Sequence, residues 1–126
     1  MDQQTAVILF GHGARDPEWA NPMRRARACL LEDSPALQVE LAFLEFIEPT
    51  LDEAIDRLVA GGANRITVIP MFLAQGGHLK RDLPVLIEGA RSRHPQCAIR
   101  QARAVGEADT VISAMADYAR RSALEG

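Results

Sequence analysis

Two histidines stand among glycines and cations in two separate stretches of the chain. His12 lies in Gly-His-Gly-Ala-Arg-Asp-Pro, residues 11–17, and His78 lies in Gln-Gly-Gly-His-Leu-Lys-Arg-Asp, residues 75–82. Neutral imidazole is the most common side-chain ligand of first-row transition metals, and it is also a base near neutral pH. A closed structural zinc site would need four ligands, often with cysteines at short spacing, and this chain has no such set. Two histidines with open coordination positions favour a metal that arrives, reacts and leaves.

A carboxylate joins the two histidines if the chain folds as its hydrophobic pattern predicts. Strands are predicted by apolar or alternating runs at 6–10, 37–43 and 65–70. His12, Glu45 and His78 each follow one of these runs. Loops at the carboxyl ends of parallel strands share one edge, where open α/β sheets bind ligands. The three side chains are therefore expected at one site, where Glu45 could act as a third ligand or fix an imidazole tautomer.

Helical patterns alternate with the strands. Asp16-Pro17 predicts a helix start, Thr50 to Glu53 forms a capping box, and further helices are predicted over about 80–93 and from 106 onward. A fourth strand is predicted over 97–102. The inward helix faces are predicted to contain Trp19, Met23, Ala26 and Leu30 in the first helix and Val111, Ile112, Met115 and Ala119 in the last. Regular alternation predicts an α/β fold, a four-stranded parallel sheet with helices on both faces.

Length and composition exclude several classes of protein. The chain has 126 residues, which predicts one domain over 1–126, and its net charge of −3 argues against nucleic-acid binding. Its longest apolar run is far short of the ~20 residues that a membrane span needs. Cys29 and Cys97 lie in no ligand spacing, and Met1–Ala6 contains no secretory signal. We therefore expect a cytoplasmic chain with packed, reduced thiols.

Structural roles remain open for the same residues. A histidine in a strand-end loop can simply be hydrogen-bonded there, Glu45 can be a solvated strand-end residue, and His94 beside Pro95 is interpreted as a helix-end residue. The glycines either form turns or let a large flat ligand approach the backbone, and these are Gly11, Gly13, Gly76 and Gly77. Three cations are either surface charges or contacts for substrate carboxylates, and these are Arg15, Lys80 and Arg81.

Three segments in order resemble one known family. They are Phe-Gly-His-Gly-Ala-Arg-Asp-Pro at 10–17, Val-Glu-Leu-Ala-Phe-Leu-Glu at 39–45 followed by Pro49, and Pro-Met-Phe-Leu-Ala-Gln-Gly-Gly-His at 70–78 followed by Asp-Leu-Pro at 82–84. Together they are similar to the CbiX-type sirohydrochlorin chelatases of the class II chelatase superfamily, in the small single-domain form. Ala14 departs from the serine of many relatives without removing a candidate ligand. The resemblance implies a three-layer chelatase-like (flavodoxin-like) domain.

The resemblance also implies an activity. It implies an ATP-independent lyase that inserts a divalent metal into sirohydrochlorin during cobalamin or siroheme synthesis, with Co²⁺ first and Fe²⁺ or Ni²⁺ as alternatives. The metal is a substrate, no organic cofactor is implied, and two identical subunits replace the two halves of longer relatives. His12 and His78 match the metal-binding and catalytic histidines, and Glu45 matches an acidic residue of the cleft. Phe72 or Leu73 is expected against the ring, and His78 is expected to be the more important histidine.

Two other functions compete with this one. Gly-His-Gly resembles the Arg-His-Gly of histidine phosphatases, but Gly11 stands where the phosphate-binding arginine would be. A non-catalytic tetrapyrrole or metal carrier, or a regulatory domain, can use the same fold. The sequence leaves open which metal is physiological, which pathway is served, which histidine is the base, and whether a dimer has one site or two.

Overall fold

Four parallel strands and four α-helices alternate along the described part of the chain. A computed structural model describes residues 4–125; of the segment predicted to lack a signal, residues 1–3 lie outside this range. The strands are β1 (Thr5–Gly11), β2 (Gln38–Phe43), β3 (Arg65–Pro70) and β4 (Ala98–Gln101). The helices are α1 (Asn21–Asp33), α2 (Leu51–Ala60), α3 (Gly77–Arg93) and α4 (Asp109–Glu125), with 3-10 turns at Pro17–Ala20 and Val105–Glu107. The predicted fold class is confirmed.

The sheet order is β2-β1-β3-β4, so β1 lies between the two strands that carry the other candidate residues. At the carboxyl edge Gly11 pairs with Phe43 of β2, and Phe10 pairs with Pro70 of β3. The loops after β1, β2 and β3 therefore emerge side by side. The edge position predicted for β2 is also confirmed.

The sheet has two apolar faces, but they are covered unequally. On one face α2 and α3 bury Ile8, Phe10, Ile66 and Val68, each 1% exposed or less. On the other face α1 covers the β1–β2 half, where its Met23 packs with Leu9, Val39 and Phe43. The first face therefore forms the main core of the molecule.

Local sequence signals place most helix ends correctly. The Asp16 side chain accepts a hydrogen bond from the Glu18 backbone N–H, and Thr50 and Glu53 form the predicted capping box. His94 is the residue that ends α3, and its Nε2 lies 2.7 Å from Oδ1 of Asp56, which supports its interpretation as a helix-end residue. Because α3 begins at Gly77, three residues earlier than predicted, His78 belongs to its first turn and not to a loop.

Two predictions of buried faces are wrong. Trp19 lies in the 3-10 turn before α1 and is 43% exposed, because this turn breaks the helical spacing that would have placed the ring inside. In α4, Ile112 is 46% exposed, Met115 is 40% exposed and Ala119 is exposed, while Val111 is half-buried. The spacing of α4 is helical as predicted, but the sheet is not what it packs against. Within residues 4–125 no helix combines the length and the apolar character that crossing a membrane requires.

Candidate functional site

His12 and Glu45 meet at the carboxyl edge of the sheet. His12 directly follows β1, Glu45 lies two residues beyond β2, and Nε2 of His12 is 3.1 Å from Oε1 of Glu45. Their side chains are 50% and 49% exposed. The pair is thus held by the fold and remains accessible to a ligand from solvent.

Backbone contacts past the strand ends hold the pair in place. The N–H of Leu44 donates to the carbonyl of Gly11 at 3.0 Å, and that of Glu45 donates to the carbonyl of His12 at 3.1 Å. Gly13 has φ +94°, and a Cβ at this position would overlap the carbonyl oxygen of Glu45. Only glycine combines this dihedral angle with this close approach at low cost. Gly13 is therefore needed to bring the two loops together.

The hydrogen bond fixes which nitrogen of His12 is free. An ionised carboxylate can only accept a hydrogen bond, so Nε2 carries the proton in the neutral tautomer that this pair favours. The lone pair then lies on Nδ1. This nitrogen can bind a metal or accept a proton, while Glu45 orients the ring and stabilises any positive charge that develops on it.

The start of α3 forms the second part of the candidate site. Gly76 and Gly77 have open space where a Cβ would be, whereas a Cβ on Gly11 would meet Sδ of Met23 at 2.6 Å. Gly11 therefore serves packing, and the glycine pair leaves the backbone of α3 accessible. His78, Lys80 and Arg81 follow the pair and are exposed.

The electrostatics at this end of α3 are unusual for a helix. No side chain caps it and no acidic residue lies in its first turn, whereas α2 begins with a capping box and with Asp52 and Glu53. Helix N-termini attract anions because free N–H groups and the dipole point there, and cations close by are normally unfavourable. Lys80 and Arg81 lie only four and five positions after Gly76. The local charge therefore suits an anionic ligand better than it suits the isolated helix.

An apolar rim borders these polar groups. Leu73 is 70% exposed, whereas Phe72 packs edge-on against Phe10 in the core with ring centroids 6.2 Å apart. Of the two residues expected against a ring, the structure favours Leu73. Phe46 is 59% exposed and lies next to Glu45, and Cζ of Arg15 is 5.4 Å from the centroid of its ring.

Phe46 was not identified from the sequence. Its φ of +69° is rare for a non-glycine residue, and such strain often occurs where a side chain must be presented to a ligand. The available signal was an aromatic residue directly after the candidate Glu45. The amide nitrogen of Gln75 was also missed. It is buried with no hydrogen-bond partner in the part of the chain that the structure describes, one residue before the glycine pair.

In the part of the chain that the structure describes, no hydrogen bond or ion pair joins His78 to the His12–Glu45 pair. Within residues 4–125 the His78 side chain makes no hydrogen bond or ion pair, and no three His, Cys, Asp or Glu side chains are grouped so as to hold a metal ion. His12 and His78 follow adjacent strands, and both are exposed. One chain thus offers an open, under-coordinated set of donors.

These features describe an α/β protein with a candidate ligand site at the carboxyl edge of a parallel sheet, where imidazoles, a carboxylate and cations are exposed. The chain belongs to the CbiX family, whose model matches residues 6–122. It is 37% identical over 82 residues to a sirohydrochlorin cobaltochelatase from Methanococcus aeolicus, covering 65% of this chain and 57% of that protein. It is 43% identical over 81 residues to one from Saccharolobus islandicus, covering 64% and 62%. The chain thus spans about three fifths of the length of these curated relatives.

Solved structures show the same fold. A CbiX protein from Marinobacter aquaeolei VT8 superposes with a TM-score of 0.84 at 29% identity, covering 97% of this chain and 99% of that one. The sirohydrochlorin chelatase SirB from Bacillus subtilis subspecies spizizenii, solved in complex with cobalt, gives 0.78 at 28% identity. That match covers 94% of this chain and 51% of SirB. The chain therefore corresponds in size to one half of SirB.

Proposed function

We propose that the chain is a sirohydrochlorin chelatase, an ATP-independent lyase that inserts a divalent metal, Co²⁺ first, into the macrocycle. The observation that carries this proposal is the His12–Glu45 pair at the end of the central strand, hydrogen-bonded and half exposed. The family, and relatives that act on sirohydrochlorin, support it. The metal is a substrate in this reaction, and no organic cofactor is required.

The pair suits the proton balance of metal insertion. M²⁺ replaces two pyrrole N–H protons, so the site must hold the ion, release it to the ring nitrogens and accept protons. Nδ1 of His12 is the free nitrogen for either task, and Glu45 stabilises the imidazolium once a proton is taken. His78, the second imidazole, lies in the first turn of α3, which follows β3, and is proposed to act with His12. Because two imidazoles leave coordination positions open, the ring nitrogens can displace them.

The substrate is expected to lie over the start of α3. Sirohydrochlorin carries eight carboxylates, which match Lys80, Arg81 and the uncapped helix N-terminus. Arg15 offers a further cation across the rim. Leu73 and Phe46 supply apolar contact for the flat ring, and the space beside Gly76 and Gly77 lets it approach the backbone.

We also propose that two copies of the chain form a homodimer. The chain corresponds to about half of SirB, and within residues 4–125 no three potential ligands are grouped to hold a metal ion. A second copy would supply the opposite wall of the cleft. The expected location is the cytoplasm, where thiols stay reduced. Cys97 is buried as predicted, but Cys29 is exposed on α1, so the prediction that both thiols are packed is wrong for Cys29.

Anaerobic insertion of Co²⁺, Fe²⁺ and Ni²⁺ into sirohydrochlorin, followed by absorbance, tests the function. The expected result is acceleration over the enzyme-free rate, fastest with Co²⁺, and a reduced rate in His12→Ala. Sirohydrochlorin that binds without faster metal uptake would instead identify a carrier. Turnover of p-nitrophenyl phosphate in the absence of metal insertion would favour the phosphatase.

A further inference from the structure

Helix α4 stands apart from the body of the protein. None of the residues described in it, from Asp109 to Glu125, is buried, although it carries several large apolar side chains. Val111, Ile112, Met115 and Ala119 follow one another at intervals of one to four residues, so that they share one side of the helix. Tyr118 borders them and is 76% exposed. An amphipathic helix of 17 residues gains most of its stability by packing its apolar side, so this side needs a partner.

A matching surface lies on the sheet. Helix α1 covers one face of the sheet over β1 and β2. The β3–β4 half of that same face remains open. Thr67 and Ile69 of β3 are half-buried there, and Ala98 and Arg100 of β4 are exposed. On the opposite face the neighbouring Ile66, Val68 and Ile99 are at most 4% exposed. In a doubly wound fold a helix covers such a surface. Helices α1, α2 and α3 already pack elsewhere on the sheet, so α4 is the helix available to cover it.

The connection between β4 and α4 is packed tightly against the body of the protein. Ala104 is completely buried, and the N–H of Gly106 donates to the carbonyl of Phe72 at 2.9 Å. A Cβ on Gly106 would overlap the backbone of Leu73, so the connection is packed tightly against the loop after β3. A packed connection gives α4 a fixed direction of departure. Because none of the described residues of α4 is buried, the open face of the same chain is not the surface that its α4 covers.

The single chain exposes more surface than a compact monomer of its mass, and the excess has the size expected for an exchanged helix. The chain exposes 8175 Å², whereas a compact monomer of 13.8 kDa exposes about 6,600 Å². The excess is about 1,500 Å², and a standard stable interface takes about 800 Å² from each partner. In an exchanged dimer each protomer buries surface at two places, on the helix that it donates and on the sheet face that accepts the partner's helix. The two areas together account for an excess of this size.

We infer that two copies of the chain exchange α4. The Val111–Met115 side of each helix packs on the β3–β4 face of the other copy, with Thr67, Ile69 and Ala98 beneath it. The exchange is reciprocal and closes a two-fold dimer. It specifies which surfaces form the homodimer proposed above, and it does not depend on the chemistry at His12.

Cross-linking between two differently labelled chains tests the exchange. In a Cys29→Ser background, one chain carries Thr67→Cys and a chain of different tag length carries Met115→Cys. After co-expression and treatment with a short bismaleimide, a covalent heterodimer of about twice 13.8 kDa is expected. In the double variant Thr67→Cys/Met115→Cys, cross-linking within a single chain would overturn the exchange. So would a dimer by sedimentation that gives no Thr67–Met115 cross-link.

A charge placed on the helix gives a second test. Met115→Asp is expected to weaken dimerisation by about 100-fold or more, because it buries an unpaired carboxylate in the contact. Met115 is 40% exposed in the single chain, so the helical circular dichroism should stay unchanged. Ser113→Asp adds the same charge to the polar side of α4 and should remain dimeric. Equal dimerisation of both variants, or a wild-type chain that is monomeric, would refute the inference, whatever metal insertion shows.

Discussion

Replacing Glu45 separates its hydrogen bond to His12 from its charge. Glu45→Gln keeps an amide oxygen that can accept from Nε2–H, whereas Glu45→Ala removes both the acceptor and the carboxylate. If Glu45 only orients the imidazole, Gln should preserve most of the activity. If its charge also stabilises the imidazolium that forms during proton transfer, the rate should fall from wild type to Gln and again to Ala.

The size of the effect follows from the geometry of the pair. With both side chains about half exposed, the interaction contributes no more than about 1 kcal/mol to folding stability. Partners that orient a metal-binding histidine are worth about 10- to 100-fold in metal affinity or activity. For Glu45→Ala this corresponds to about 1.4 to 2.7 kcal/mol in transition-state stabilisation. We therefore expect Glu45→Ala to lower kcat/KM strongly while it lowers the melting temperature only slightly.

The assay is anaerobic Co²⁺ insertion into sirohydrochlorin at varied metal concentration, combined with a thermal melt of each variant. The expected order of kcat/KM is wild type, then Gln, then Ala, with a raised KM for Co²⁺ in Ala. Glu48→Gln is the matched control, since Glu48 is an exposed carboxylate in the same loop. The reasoning fails if both Glu45 variants stay within two-fold of wild type while His12→Ala is inactive, or if Glu48→Gln loses as much activity.

Three further predictions follow from single positions. Gly13→Ala should destabilise the fold by about 1 to 3 kcal/mol, because a Cβ at φ +94° overlaps the backbone of the neighbouring loop. Gly77→Ala is the contrasting variant, since its Cβ would lie in open space. It should keep its melting temperature but raise the KM for sirohydrochlorin, because the added methyl group occupies the space proposed for the ring. His78→Ala should reduce metal insertion more than His12→Ala does, and the opposite order would contradict the assigned ranking. The pKa of Asp56 is lowered mainly by its hydrogen bond with the His94 side chain, so stability from this carboxylate is present above its ordinary pKa of 3.8 and is lost as the pH falls below it. Asp56→Asn should thus cost up to about 1 kcal/mol in urea melts at pH 7, and the difference should shrink towards pH 3.

The sheet and most of the helix ends could be predicted because their signals are local. Continuous apolar runs marked the buried strands, and the Thr50–Glu53 box marked the start of α2. Alternation then fixed a parallel sheet, since the right-handed crossover leaves few other topologies. The contact of His12 with Glu45 also followed from topology alone, because strand ends in one sheet share an edge.

The errors arise where a local pattern does not determine the partner. Helical spacing in α4 shows which side is apolar but not whether its own sheet or another copy covers it. The sequence pattern predicts a loop at Gly76 and Gly77 because its helical spacing is clear only from about residue 80, yet Gly77 begins α3. Phe46 was missed because its left-handed backbone depends on the contact of two loops, which no single stretch of sequence encodes.

Weak coordination in one chain is what the proposed reaction requires. A protein that stores metal would gather three or four ligands in a buried site, and its ion would then leave slowly. Here one exposed imidazole directly follows β1 and the other lies in the first turn of α3, and within residues 4–125 no three potential ligands are grouped to hold a metal ion. A macrocycle that offers four ring nitrogens can take an ion from such a site, while His12 with Glu45 behind it accepts a proton. An anionic substrate against the uncapped N-terminus of α3 would stabilise that helix end. In the proposed reaction, metal release and substrate binding are therefore expected to be coupled at one edge of the sheet.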